Sequence, residues 1–396
     1  MSMNDDIQLD ASRVKVRGRG TMAATGVGGL GLIGAIVYFF LTGQVPDSLV
    51  TSGRQPAGNQ TSLIETCKTG EDANKNTECW MVATAESLDA YWGGALPSAA
   101  GAAYKKPDFV LFSGSTSTAC GTASSQTGPF YCPADKAVYL DVGFFKELQS
   151  RYGATNSRLA QAYIVAHEFG HSIQDQTGIL SKVNHKDTGP SGSLVRSELQ
   201  ADCLAGVWLH NASKTVDPES GKKFLVPPTR EELKTAVDAA AAVGDDHIYE
   251  SAGMEANQES FTHGSSAKRT EWLMKGYEGG KFESCDTWSA PLRGAEVLGD
   301  DRVVDDHLRR VQWAGAPSRR QGRRAAADAA LNVEAEGLEH FPAVGGDAFG
   351  PPRRQPHPVD PGRSGHSLQR PRRLLLDHVR QRAGRGRQGH VDDHVG

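Results

Sequence analysis

The sequence predicts a mixed α+β fold, mainly helical with a small sheet, preceded by one transmembrane helix and followed by a disordered tail. Three observations predict it. The middle of the chain repeats apolar residues at helical spacing over several stretches, while only two short runs bounded by Pro or Gly read as strands. A charge-free apolar stretch lies near the start. The composition then breaks about a hundred residues before the end.

Arg13, Lys15, Arg17 and Arg19 form a basic run, and no charge follows between Gly20 and Pro46. Ala23 to Leu41 is the most apolar part. As a helix at ~1.5 Å per residue it would extend about 28 Å, close to the hydrocarbon thickness of a bilayer. Basic residues ahead of a span keep the N-terminus cytoplasmic and place the rest of the chain outside. No small-x-small cleavage pattern comes after Leu41, so the stretch reads as an uncleaved anchor rather than a signal peptide. The expected organisation is a cytoplasmic basic segment at 1–22, a membrane anchor at 23–42 and a linker at 43–60. A folded domain at 61–288 and a tail at 289–396 complete it.

Within the domain, Trp80, Ala83, Leu88 and Tyr91 recur at helical spacing over Cys79 to Trp92. Phe109 to Phe112 and Ala137 to Leu140 read as strands, and Ser113 to Gly128 as a Ser/Thr/Gly loop tied by Cys120. Asn156 or Ser157 opens a helix that runs to about Gln176. A polar loop, Leu180 to Ser193, leads into a second apolar-faced helix, Ser193 to His210, carrying Leu194, Val195, Leu199, Cys203, Leu204, Val207 and Trp208. Thr229 with Glu232 forms a capping box ahead of Arg230 to Ala242. Ser266 to Tyr277 is a further helix.

The formal net charge is -4. Residues 1–288 hold 25 Lys and Arg against 33 Asp and Glu, so the folded part is mildly acidic and gives no reason to expect nucleic acid. The cysteines are Cys67, Cys79, Cys120, Cys132, Cys203 and Cys285, with no C-x-x-C. An even number outside the cytoplasm reads most simply as three disulfides. Local pairing joins Cys67 to Cys79 and Cys120 to Cys132, leaving Cys203 with Cys285, one of several connectivities that six cysteines allow.

One stretch carries chemistry. Ile164 to His171 reads IVAHEFGH, an H-E-x-x-H in a helix-forming apolar context. His167 and His171, four apart, share a helix face and can both ligate one ion, and Glu168 lies one step round. Two neutral imidazoles suit Zn²⁺, and a carboxylate beside an open coordination position can take a proton from bound water. The competing reading is a pair of surface histidines one turn apart. On the next helix Glu198 and Asp202 are again four apart, amid apolar neighbours that would bury them. His185, in the polar loop, reads as solvent-facing.

His167, His171, then Glu198 and Asp202 resemble the H-E-x-x-H…E-x-x-x-D arrangement of the thermolysin-type zinc peptidases, the gluzincins. There the Glu is the third ligand and the Asp orients one histidine. The spacing leaves Glu198 and Asp202 interchangeable in those roles. Val110 to Gly114, Ala119 to Ala123, Gly128 to Asp135, Val138 to Asp141, Glu198 to Cys203, Thr262 to Ser266 and Cys285 to Thr287 are similar to the bacterial neutral zinc metallopeptidase family. The resemblance runs from about Gly53 to Trp288. It implies a zincin-like domain in a membrane-anchored zinc peptidase, with Zn²⁺ as cofactor and a peptide or protein as substrate. Metal ligands would be His167, His171 and Glu198, with Asp202 behind them. Glu168 would be the general base, and His263, with Tyr139 behind it, the donor to the developing oxyanion. By analogy, Ala137 to Leu140 would be the edge strand that binds the substrate's main chain. A non-catalytic, zinc-stabilised binding or assembly protein of the cell envelope is the reading from another class. Glu168 favours the enzyme, because a structural zinc site has no use for a base.

Up to Lys281 there are 16 Lys and 9 Arg, and beyond it no Lys and 18 Arg. Cys and Tyr also vanish after Cys285. So abrupt a change reads as translation of GC-rich DNA out of frame from near Ala290. The other reading is a disordered Arg-rich tail that binds acidic polymers.

Overall fold

Caps and turns written in the sequence delimit the helices. The computed structural model describes residues 1–18, 60–125 and 127–292, which fall within one unit, Met1–Gly322. Gln60–Thr66 (α1) and Gly70–Lys75 (α2) precede Thr77–Ala100 (α3). The Asn76 side chain accepts the N–H groups of Glu78 and Cys79 and so starts α3. The helix passes the expected end at Trp92 and stops at Gly101, whose φ of 65° closes it in the left-handed region. Phe144–Tyr152 (α4), Arg158–Gln176 (α5), Ser193–Ala212 (α6), Arg230–Ala242 (α7), Asp245–Ser251 (α8) and Ser266–Gly279 (α9) come next. Ser157 caps α5, and the Thr229–Glu232 capping box opens α7.

Val14–Val16 (β1), Asp108–Phe112 (β2), Ser115–Thr118 (β3), Gly121–Ser124 (β4), Phe130–Cys132 (β5) and Ala137–Asp141 (β6) are the strands. One sheet has the order β1-β2-β6-β5, with β1, β2 and β6 parallel and β5 antiparallel to β6. A separate hairpin joins β3 to β4 inside the stretch expected to be loop. Short Ser/Thr strands carry little apolar pattern, which is why this hairpin is not legible in the sequence. The edge-strand expectation needs correction. Ala137 to Leu140 lies inside the sheet, bonded to β2 on one side and β5 on the other. The edge is β5.

A glycine sets the spacing of the two central helices. A Cβ on Gly170 would stand 3.0 Å from the Cα and carbonyl oxygen of Ala201, so α5 and α6 approach backbone to backbone at that point. Helix α9 packs on the other side of α6.

The three disulfides are Cys67–Cys79, Cys120–Cys132 and Cys203–Cys285, the local pairing and its remainder. The last ties the turn Phe282–Cys285 to α6 across 82 residues. Closing so long a loop restricts the unfolded chain, so replacing both Cys203 and Cys285 by Ser is expected to cost about 2–5 kcal/mol in urea unfolding. An unchanged midpoint would show that the bridge does not form.

The start of the chain departs from expectation. Residues 1–22 were expected to form a separate cytoplasmic segment, yet Met3, Ile7, Ala11 and Val14 are buried in the main core and β1 completes the sheet. Three of the four basic residues that read as a membrane flank have partners here, and Arg19 lies outside the described residues. Arg13 Nε donates to Asp89 Oδ2 at 2.5 Å, Lys15 pairs with Asp108 at 2.6 Å, and Arg17 donates to the Ser117 carbonyl at 2.7 Å. The apolar stretch Ala23 to Leu41, the linker up to residue 59 and residues 293–396 lie outside the described residues. Among the described residues no helix is long and apolar enough to cross a membrane.

Glu86, on α3, accepts the Asp10 N–H at 2.6 Å beneath this segment. Burial pushes its carboxyl up to about 8, against the bonded N–H, which lowers it. The folded protein therefore keeps a proton that the unfolded chain releases near its ordinary 4.5. Stability present below that value is lost as the pH rises toward about 8. Glu86→Gln is expected to remove this slope, so its Tm relative to wild type rises from pH 5 to pH 8. A constant difference would contradict a buried, ionisable Glu86.

Candidate metal centre

Helix α5 is buried from Leu159 to Gln174, so its two histidines face protein rather than water. His167 and His171 stack one turn apart, ring centroids 4.9 Å from each other and nearly perpendicular. The close approach at Gly170 lets α6 present Glu198 to both. His167 Nε2 lies 3.1 Å from Glu198 Oε2, and His171 Nε2 lies 3.4 Å from Glu198 Oε1. A tetrahedral ion with bonds of ~2.0–2.1 Å has ligand atoms about 3.3 Å apart, so the donor set fits zinc. These three are the group among the described residues that could hold an ion.

Each imidazole is held from behind. His167 Nδ1 meets Asp202 Oδ1 at 2.8 Å, and His171 Nδ1 meets Gln174 Oε1 at 2.9 Å. In its neutral form, a ring whose Nδ1–H is donated this way turns a bare Nε2 toward Glu198. The geometry thus separates two carboxylates that the sequence could not: Glu198 faces the metal side, and Asp202 backs His167. Asp202 is itself clamped. Arg269 Nε and one terminal nitrogen each donate to it at 2.9 Å, and the Tyr163 hydroxyl donates at 2.6 Å. Gln174 is fixed by donating to the Ser197 carbonyl at 2.7 Å and to Gln200 Oε1 at 3.0 Å.

The charges are set by this packing. Burial alone would lower both histidines, but Asp202 and Glu198 outweigh it at His167, pushing it up to about 10, and Glu198 outweighs it at His171, which is raised. Burial works against the Glu198 carboxylate too, yet the two imidazoles hold it well below its ordinary value. Burial likewise disfavours ionised Asp202, and Arg269 overcomes it. Glu168 is raised, mainly by burial, with the histidines opposing. The metal-free cluster therefore keeps protons on its imidazoles, which an incoming ion must displace. Zinc affinity is expected to rise by about tenfold or more per pH unit between pH 6 and 8, read by competition with a chromophoric chelator. A flat profile would contradict imidazole ligation.

Glu168, His167, Glu198, His263 and Arg269 line one cleft, whose walls include Phe144, Ile164, Val243 and Ile248. Residues 127–129, just before β5, form part of its rim. The ring of His263 is set by Asp245: Nδ1 lies 3.1 Å from Oδ1, while Oδ2 accepts the backbone N–H groups of Thr262, His263 and Gly264 at 2.7–2.9 Å. Gly264 takes a φ of 93° to turn the chain there. Tyr139 does not belong to this cleft. Its hydroxyl donates to Asp135 at 2.8 Å and its ring stacks on Phe130, in the small second core.

Arg269, Tyr163, Gln174 and Asp245 were missed from the sequence. Gln174 had a signal, since it lies three residues beyond His171 on the same face. Arg269 had none, being 67 residues from Asp202 and brought there only by α9. Arg269→Met keeps much of the bulk but leaves Asp202 without its cation. It is expected to weaken zinc binding by about 10–100-fold, measured by the same competition. An unchanged affinity would make Arg269 mere packing.

Two imidazoles and a carboxylate converging from neighbouring helices, with a second carboxylate in the adjoining cleft, define a metallopeptidase-type centre. Residues 3–288 match the family described as "Putative neutral zinc metallopeptidase", and the chain belongs to that family. It is 44% identical over 227 residues to protein Rv2575 of Mycobacterium tuberculosis, covering 57% of this chain and 76% of that one. It is 33% identical over 280 residues to YpfJ of Escherichia coli, covering 69% of this chain and 91% of that one. Both relatives are described as uncharacterized. No solved structure matches the chain.

Proposed function

We propose that the chain is a zinc-dependent endopeptidase, held at the membrane, that hydrolyses peptide bonds outside the cytoplasm. The observation that carries this reading is Glu168: a buried carboxylate lining a cleft beside two imidazoles and Glu198. All six cysteines are paired, which supports an oxidising compartment.

His167, His171 and Glu198 would hold the zinc, which supplies a Lewis acid that brings the pKa of a bound water to about 7. Glu168 takes a proton from the attacking water and hands it to the leaving amine. Its raised pKa suits both halves of that task, because a proton is neither refused nor kept. His263, oriented by Asp245, donates to the carbonyl oxygen as negative charge builds. Phe144, Ile164, Val243 and Ile248 favour a bulky apolar residue beside the scissile bond. Arg269 offers an acidic side chain little, since its nitrogens are already given to Asp202, Tyr163 and the Val243 carbonyl.

His263→Ala is expected to lower kcat/KM by about 10²–10³ with zinc content unchanged. Equal activity would remove His263 from the reaction. The proposal as a whole is tested with purified full-length protein and an unfolded protein substrate. Hydrolysis should be lost with a chelator, return with zinc, and cut beside large apolar residues. Stoichiometric zinc with no cleavage of any peptide in a broad library would overturn it.

A further inference from the structure

We propose that Met1–Gly18 belongs to the metallopeptidase domain and lies on the same side of the membrane as the metal cleft. The single-span arrangement expected from charge and hydropathy puts these parts on opposite sides. The contacts do not allow it. Strand β1 pairs with β2 through Val14, Lys15 and Val16, opposite Phe109, Val110 and Leu111. The Leu9 N–H donates to the Lys68 carbonyl at 2.9 Å, and the Arg17 N–H to the Leu111 carbonyl at 2.8 Å. A hydrocarbon layer of about 30 Å cannot lie between such partners.

Nor is the segment a surface ornament that could detach cheaply. Ile7 and Val14 are fully buried and Met3 nearly so. Losing the segment would leave β2 as an open edge and uncover the apolar side chains beneath it. Helix α1, where the chain re-enters the described structure, packs against the turn Ala11–Arg13 through which the N-terminal segment passes. The chain thus re-enters the domain against the N-terminal segment itself. If Ala23 to Leu41 crossed a bilayer, the remaining residues up to Gln60 would have to cross back, carrying Asp47 and Arg54, an expensive passage for charged side chains. A same-side connection avoids it.

Two measurements on the full-length protein in its native membrane decide the matter. The first is zero-length carbodiimide coupling, which joins a lysine to a carboxylate in direct contact. An isopeptide between Lys15 and Asp108, 2.6 Å apart, is expected alongside the reference product Lys136–Asp175, also at 2.6 Å. Recovery of the reference without Lys15–Asp108 overturns the proposal. The second is labelling of Ser12→Cys and, separately, Ser150→Cys, two exposed positions, with a membrane-impermeant maleimide on intact cells. Equal accessibility supports a common side, whether both label or both are protected. Label at residue 150 with protection at residue 12 overturns it. Protection of both would leave this inference standing while sinking the extracytoplasmic part of the proposed function.

Discussion

Glu168→Gln is expected to lower kcat by about 10²–10⁴ while zinc content stays at one per chain. The substitution keeps shape and hydrogen bonding but removes the group that can accept and return a proton. Glu168 is among the buried polar residues at 8% exposure, so no bulk base easily replaces it. The neutral amide should also spare the fold, because a buried carboxylate with a raised pKa gives up little when its charge is removed. Hydrolysis of a quenched peptide together with metal analysis on the same sample reads both halves. Full activity with zinc retained would mean that another residue handles the proton. Loss of zinc as well as activity would mean that Glu168 is part of the ligand set.

Glu198→Ala is the second large effect. This carboxylate bridges the Nε2 atoms of both histidines and is 2% exposed. If Glu198 is the third ligand, its removal is expected to lower zinc affinity by more than the about 10–100-fold that a supporting residue costs. Activity should vanish at ordinary zinc levels. The imidazoles also lose the charge that raises them, so the metal-free variant should bind fewer protons near neutrality than wild-type apoprotein. Circular dichroism separates metal loss from unfolding. If Glu198→Ala kept tight zinc while Asp202→Ala lost it, the two carboxylates would have exchanged roles.

How far the sequence carried the site depends on the range of each signal. His167, Glu168 and His171 were legible because helical periodicity turns adjacent positions into one face. The pairing of Glu198 and Asp202 was legible as a stripe, but which one meets the metal depends on the approach of α6 at Gly170, a tertiary fact. Arg269 and Asp245 act across long stretches of chain and left no local trace. The long helices α3, α5, α6, α7 and α9 were read, since caps such as Ser157 and Thr229 are local, whereas the short α1, α2, α4 and α8 were not. The sheet was read poorly. Strands β3, β4 and β5 are short, and β1 lies in a run of alternating basic residues that reads as a membrane flank. The topology rule for basic flanks weighs charge alone, so it could not register that Arg13 and Lys15 have partners on α3 and β2.

His167, His171 and Glu198 are expected to hold one zinc ion. X-ray absorption at the zinc edge of purified protein tests this most directly. The expected spectrum shows two imidazole nitrogens and carboxylate or water oxygen at about 2.0–2.2 Å, with no sulfur. A sulfur shell near ~2.3 Å, or an oxygen-only shell without imidazole scattering, would contradict it.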